Sequence, residues 1–403
     1  MSRPSGGIAE RGRAASIRAA RAALLVGLLA GLVGCPAKEA TTASELSPAT
    51  TAHASFALIR RAEQLLILNA AGEIPVPIDG DADPFGASSS TAEAIDDETV
   101  ALIDRGRLVT VRHDGSAQSV PCVRCNSVIW SGEDLVVLSE SLSAGRTFDL
   151  TRFNRELEPK TTITLRRQTE RTDPNYDRNE VGVIALAANS NTVWAAYTDR
   201  FGFARGGSRT IAAYDNDGIL VRSTRVPGSI YASSVSDDGR FLAVADGGSG
   251  GACITASEVD VINLTTMRSL DTSPRIPIQA VLETPPEDVP SLNFAAFDLH
   301  WRGGSAVAIG ETSRGNDPGG QGSCDPQATR WVRTFDTATQ IFTDTKAVVD
   351  PGSYIGPTCL HRLRSSNTSN DWQLTTGPGQ SRPVEMDSLI YHPPLPPECG
   401  ESA

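Results

Sequence analysis

The reading of the fold turns on two neighbouring stretches, Ile230–Gly248 (IYASSVSDDGRFLAVADGG) and Ser257–Leu270 (SEVDVINLTTMRSL). In the first, Ser236-Asp237-Asp238-Gly239 is a run of residues that hydrogen-bond their own backbone or accept a left-handed conformation, which is turn chemistry. The apolar runs on either side are too short for a helix and of the right length for strands. A strand therefore enters the turn and a second, Arg240–Ala245, leaves it. A loop then leads to a third, Glu258–Asn263, and a further turn to a short fourth.

The same grammar recurs along the chain. Ala92–Val120, Asn126–Glu140 with Arg146–Leu165, Val181–Asp199 with Arg209–Val226, and Phe294–Glu311 with Thr329–Val348 each place strand pairs around tight polar turns. A partial unit at Phe56–Ile78 and the C-terminal segment from Tyr354 bring the count to seven. Shared among seven units, the span 56–403 gives about 50 residues each, as four-stranded blades require. Six units with long insertions is the alternative count. No segment after Phe56 sustains a helical period. The rhythm of Ile230–Leu270 resembles a blade of the bacterial WD40-like or YVTN-type β-propellers, although neither a Gly-His…Trp-Asp pair nor a YVTN tetrapeptide occurs. The resemblance implies an all-β fold with a single β-propeller over residues 56–403. A pair of β-sandwiches is the competing architecture, but the sequence shows no linker mid-chain. The first unit lacks an innermost strand, and the residues around Leu389–His392 are expected to pair there and close the ring.

Ahead of this domain lies LLVGLLAGLVGCPAK, Leu24–Lys38, preceded by Arg3, Arg11, Arg13, Arg18 and Arg21. The apolar run is shorter than the ~20 residues that span a bilayer, and it follows basic residues as an export signal does. Leu32-Val33-Gly34-Cys35 resembles the lipobox of bacterial lipoproteins. That resemblance implies cleavage after Gly34, diacylglycerol on Cys35, and acylation, for example by palmitate, of the new amino terminus. It places residues 1–34 as a signal peptide, and 35–55, rich in Ala, Thr, Ser and Pro, as a flexible linker. The expected location is the cell envelope, anchored through Cys35 and facing the extracytoplasmic side, periplasm or cell surface. An ordinary secretory signal with an incidental cysteine, or a buried helix, is the other reading.

The full chain carries a formal charge of -12, and loss of residues 1–34 with their five arginines and single glutamate takes it to -16. Such an excess of acid argues against nucleic acid and against lying on anionic lipid. With Cys35 assigned to lipid, six cysteines remain: Cys122, Cys125, Cys253, Cys324, Cys359 and Cys399. An even number in an exported chain points to disulfides. Cys122 and Cys125 form a CxxC that suits a structural bridge, with a redox pair or half a zinc site as alternatives. The blade register would also pair Cys253 with Cys324 and Cys359 with Cys399.

In such a unit the first-to-second and third-to-fourth turns share one face; the second-to-third loops and the links between units share the other. The first face carries short turns, such as Trp130–Glu133, Ala188–Asn191, Asp215–Gly218 and Ser236–Gly239. The second carries Arg166–Glu180, Asp199–Ser208, Gly247–Ser257, Asp271–Ser291 and Glu311–Ala328. Insertions gathered on one face of a repeat protein mark its binding surface. Arg200, Phe201, Phe203 and Arg205 in DRFGFARGGS, with Arg314 and Asp317, are the candidate contact residues, arginine and aromatics being favoured at interfaces.

Catalytic and metal motifs are weaker. Gly247–Gly251 matches GxSxG around Ser249, with Asp298 and His300 downstream, but a nucleophile elbow needs a helix where this sequence has a polar loop. Asp79, Asp81 and Asp83 begin like a calcium loop, yet Pro84 stands where that loop needs glycine. His53, His113, His300, His361 and His392 lack metal-ligand spacing and read as surface or packing residues. Trp130, Trp194, Trp301, Trp331 and Trp372 recur at unit spacing and read as packing between blades. No catalytic residue, metal or cofactor is assigned. The expected function is a lipid-anchored binding or scaffold module for an envelope or extracellular protein or polymer. The alternatives are an extracytoplasmic hydrolase or lyase in the propeller channel, and a structural surface lipoprotein without a specific ligand.

Overall fold

The computed structural model describes residues 54–69, 72–78, 92–140, 147–166, 183–198, 209–226, 229–236, 238–249, 255–270, 292–302, 304–314, 329–346, 353–354, 362–365, 372–377 and 380–393. All belong to one compact unit, Thr42–Ala403. Every regular element among them is a β-strand, and the strands form seven antiparallel sheets of four. Sheet 1 combines β1 (Ala57–Arg61), β2 (Gln64–Asn69) and β3 (Gly72–Pro75) with the last strand, β28 (Ser388–Tyr391). Sheet 2 holds β4 (Ala92–Ala94), β5 (Thr99–Asp104), β6 (Arg107–Arg112) and β7 (Ala117–Pro121). Sheet 3 holds β8 (Cys125–Trp130), β9 (Leu135–Glu140), β10 (Thr147–Phe153) and β11 (Pro159–Arg166). Sheet 4 holds β12 (Val183–Ala188), β13 (Thr192–Thr198), β14 (Arg209–Asp215) and β15 (Leu220–Val226). Sheet 5 holds β16 (Ser229–Val235), β17 (Phe241–Ser249), β18 (Thr255–Asn263) and β19 (Arg268–Ser269). Sheet 6 holds β20 (Leu292–Arg302), β21 (Ser305–Arg314), β22 (Thr329–Asp336) and β23 (Ile341–Lys346). Sheet 7 holds β24 (Ser353–Tyr354), β25 (Arg362–Ser365), β26 (Trp372–Gly377) and β27 (Gln380–Val384).

Side chains alternate across a strand, so a strand buried on both faces needs an unbroken apolar run. In β5, Val100 and Leu102 pack toward sheet 1 while Ala101 and Ile103 pack toward sheet 3. In β9, Leu135 and Val137 face sheet 2, and Val136 and Leu138 face sheet 4. In β13, Val193, Ala195 and Tyr197 face sheet 3, whereas Trp194 and Ala196 face sheet 5. In β17, Leu242 and Val244 join sheet 4, and Ala243 and Ala245 join sheet 6. In β2, Leu65 and Ile67 join sheet 2, while Leu66 and Leu68 meet Leu374, Val384 and Met386 of the sheet 7 segment. Apolar cores thus join the sheets in the order 7, 1, 2, 3, 4, 5, 6. Four-stranded sheets stacked face to face in chain order, with the final strand returned to the first sheet, are propeller construction. Among the described residues no core cluster joins sheets 6 and 7. Four of the five tryptophans sit in these cores: Trp130 between sheets 2 and 3, Trp194 between 4 and 5, Trp301 against 5 and 6, and Trp372 against 7 and 1; the side chain of Trp331 lies outside what the structure describes.

The turns repeat one device: a short polar side chain accepts the backbone N–H groups that the reversal leaves free. Asn189 Oδ1 accepts from Asn191 and Thr192 at 2.8 and 2.7 Å. Asp215 Oδ1 accepts from Asp217 and Ile219 at 3.0 and 2.8 Å, and Asp336 Oδ1 from Ala338 and Thr339 at 2.7 and 2.9 Å. Gly218, at φ 75°, closes the Asp215 turn; a Cβ there would meet Leu165 Cδ2 at 3.1 Å and the Thr164 carbonyl at 3.2 Å, so the turn lies against β11.

The seam in sheet 1 joins the two ends of the domain. β28 pairs antiparallel with β1, Leu389 opposite Ile59 and Tyr391 opposite Leu58. The Tyr391 hydroxyl accepts the Ala54 N–H at 2.9 Å, Asp387 Oδ2 accepts the Ala62 N–H at 2.7 Å, and the Asp387 N–H bonds to the Arg60 carbonyl at 2.7 Å. Arg61 Nε donates to the Glu385 carbonyl at 2.6 Å.

Two boundaries differ from the sequence reading. Gly247–Ser257 is expected as a loop, but β17 continues to Ser249 and β18 begins at Thr255, with those two residues paired. Glycine and serine are poor strand formers, and here ladder pairing overrides propensity. Likewise Glu311–Arg314 extends β21, Arg314 pairing with Leu292, instead of opening the following loop.

Candidate functional site

Regular pairing is interrupted between third and fourth strands in β10–β11, β14–β15 and β26–β27, and at the first strands of five sheets. Register shifts interrupt the pairing of β1 with β28, β8 with β9, β12 with β13, β16 with β17 and β20 with β21. A β-bulge inserts one unpaired residue and re-aims the side chains beside it. Adjoining sheets meet at these strands through polar bonds. Ser127 Oγ on β8 accepts the Ala185 N–H of β12 at 2.7 Å, both groups buried. Trp301 Nε1 on β20 donates to the Ser234 carbonyl of β16 at 2.8 Å. The Glu93 carboxyl on β4 accepts the Trp130 N–H of β8.

β4, β8, β12, β16 and β28, drawn from sheets 1 to 5, surround a cavity of about 350 Å³. Trp130, Ala188, Val235 and Tyr391 on its wall are the last residues of their strands, while Ala92, Ile184 and Ile230 stand at or near the starts of theirs, so the cavity runs along the strands. Its wall is mostly aliphatic, including Ile129, Ile184, Ile230 and Ile390; Ser233, Ser234, Glu93, Tyr391 and His392 add polar groups. Burial pushes the Glu93 carboxyl up to about 8, and the Trp130 N–H draws it partly back. The Tyr391 phenol is raised by burial and, less strongly, by Glu93, with the Ala54 N–H opposing. Three other acids at least partly withdrawn from solvent have cationic partners. Asp104 meets Arg60 at 2.5 Å, Asp134 meets Lys160, and Glu73 lies between Arg61 at 2.8 Å and Arg382 at 3.3 Å. Among the described residues no cation forms an ion pair with Glu93.

Cys122 and Cys125 are joined by a disulfide across the link between β7 and β8 and are buried with Trp130, Val137 and Phe153 in the core of sheets 2 and 3. Cys35, Cys253, Cys324, Cys359, Cys399, Arg200, Phe201, Phe203, Arg205 and Asp317 lie outside the described residues, as do Asp79, Asp81 and Asp83. Ser249 ends a strand that returns into another strand, without the helix that a nucleophile elbow requires. His113 is an exposed residue 3.9 Å from Glu98. His392, read from sequence as a surface or packing residue, lines the cavity instead. Glu93, Tyr391 and Ser127 carry no sequence signal beyond their polarity. Among the described residues no group of three or more histidine, cysteine, aspartate or glutamate side chains is placed to hold a metal ion.

No family model and no curated protein sequence matches the chain. Several solved structures are similar at low identity. The tricorn protease is 13% identical with a TM-score of 0.41, over 87% of this chain and 35% of its own length. The β-propeller domain of the Trilobed protease from Pyrococcus furiosus is 8% identical with a TM-score of 0.37, over 85% of this chain and 98% of that one. A gluconolactonase from Xanthomonas campestris is 13% identical with a TM-score of 0.36, over 87% of this chain and 98% of that one. This chain therefore spans about a third of the tricorn protease. Likeness at these values says nothing of what this chain binds or does.

Proposed function

We propose that this chain is a lipid-anchored, extracytoplasmic β-propeller, its seven sheets the blades of one ring closed by β28, that binds an envelope protein or polymer through the face bearing its long connections. The observation that carries the reading is the uneven length of the connections at the two ends of the strands. At one end, second strands pass to third strands through 141–146, 199–208, 250–254, 315–328 and 366–371, and sheets are linked by 76–91, 167–182 and 270–291. At the other end most joins are short, among them 95–98, 131–134, 189–191, 216–219, 264–267 and 337–340, with 355–361 the longest, while at the first end 105–106, 122–124 and 227–228 are short as well. Connecting length costs conformational entropy, and among the described residues of these long connections only Val76, Ile78 and Leu270 pack against a core, so its concentration at one end fits a surface shaped for a partner.

The anchoring part of the reading rests on the leader and Cys35. The test takes the full chain extracted from membranes beside a twin in which 199–208 and 315–328 are replaced by short turns, both shown to be folded. A partner captured from native envelope by the first and lost by the second supports binding at this face; equal capture by both, or by neither, opposes it. Cys35→Ala is expected to release the chain from the membrane fraction, and continued sedimentation with membranes would remove the anchor.

A further inference from the structure

We propose that the cavity enclosed by β4, β8, β12, β16 and β28 is a binding site for a small organic cation, an amine or alkylammonium, with Glu93 as its counter-ion. The inference rests on the wall residues of these strands and not on the partner proposed for the long connections.

Three observations converge on this chemistry. The first is room: about 350 Å³ falls at the lower end of small-molecule sites, enough for a compact ligand. The second is the contrast among acids. Asp104, Asp134 and Glu73 each face an arginine or lysine, whereas Glu93 has a single backbone N–H from Trp130 and otherwise opens on the cavity. A half-buried carboxyl with one donor and no cation is held at a desolvation cost that an incoming positive charge would reduce. The third is the rest of the wall. Isoleucine and alanine side chains suit the hydrocarbon part of an alkylammonium, and the Tyr391 ring on β28 and the Ser233 and Ser234 hydroxyls on β16 offer an aromatic face and acceptors for its head.

Proton linkage follows. Glu93, Tyr391 and His392 are the titratable groups on the described wall; behind Trp130, Arg155 lies over the indole ring at 5.0 Å and pairs with Asp96 at 2.8 Å. Burial holds the Glu93 proton up to about 8. A cation must displace that proton, so binding near neutrality releases it and affinity rises with pH until the carboxyl is ionised.

The experiment is calorimetric titration of the full chain in detergent with n-butylammonium and tetramethylammonium, and with butan-1-ol and butyrate as neutral and anionic comparators. It is run at about pH 6 and about pH 8.5, in two buffers of different ionisation enthalpy. Expected are saturable binding of an ammonium, a proton released near neutrality, and affinity at least ~10-fold higher at the upper pH. Glu93→Gln, which keeps an acceptor for the Trp130 N–H, is expected to weaken binding at least ~10-fold, while the exposed Glu63→Gln leaves it unchanged. No saturable ammonium binding at about pH 8.5, equal binding by Glu93→Gln, or preference for the neutral or anionic comparator would overturn the proposal.

Discussion

The second strands of the sheets and the first strands stand side by side, yet they are built to different rules. β5, β9, β13 and β17 pair with their third strands in unbroken register, bury both faces and read as apolar runs: VALI, LVVL, VWAAY and FLAVA. β8, β12, β16 and β20 bulge against their second strands β9, β13, β17 and β21, mix small and polar residues, and bond to neighbouring sheets through side chains. The lesson is a division of labour inside each sheet. The second strand supplies the cohesion that lets the first strand give up regular pairing around the cavity.

The comparison breaks most visibly at Trp194. Its side chain is fully buried among Leu186, Ile211, Leu242 and Val244, so Trp194→Ala is expected to lose about 3–5 kcal/mol in denaturant unfolding. A loss below ~1 kcal/mol would mean that the second strands do not carry the cohesion. Glu93→Gln sharpens the other side, with the opposite sign. The native carboxyl keeps its proton up to about 8, whereas the unfolded glutamate releases it near its ordinary value. Wild-type stability therefore falls as pH rises between those values. The variant lacks that fall and is expected to gain a few kcal/mol above about pH 8, and nothing below about pH 4. Unfolding curves that stay parallel for the two proteins across this range would remove the burial argument. The smallest effect is expected of Ser127→Ala, which strands the buried Ala185 N–H and costs about 1–2 kcal/mol, with slowed hydrogen exchange at that amide lost first.

This division also decides what could be read in advance. The unbroken runs of the second strands and turns such as Ser236–Gly239 or Asp215–Gly218 identify strand pairs because packing on both faces and turn chemistry each leave a residue-level mark. The pairing of Leu389–Tyr391 with β1 was legible as a missing strand in the first unit. The cavity was not legible. Glu93 sits on a three-residue strand just ahead of Asp96, Asp97 and Glu98, where another acid looks like part of a solvated turn. His392 directly precedes the pair Pro393-Pro394, in what reads as a tail. Bulges insert a residue without a compositional trace, and Gly247–Ser249 joins a ladder only because Ala256 and Ser257 lie opposite. A site assembled from five sheets depends on depth along each strand, and that depth is set by register, which a single chain does not display.

The strand that completes sheet 1 is also the last to be made. The Ala54 N–H and the Tyr391 hydroxyl that it meets are 337 residues apart. At roughly 5–20 residues per second, a ribosome needs about a quarter of a minute to a minute to travel that distance. Throughout that interval β1 has an open edge able to pair with any extended chain nearby. Birth of this protein therefore includes a waiting period whose length is fixed by translation speed, and a factor that shields the first three strands during it would raise the yield of folded molecules without touching their final stability.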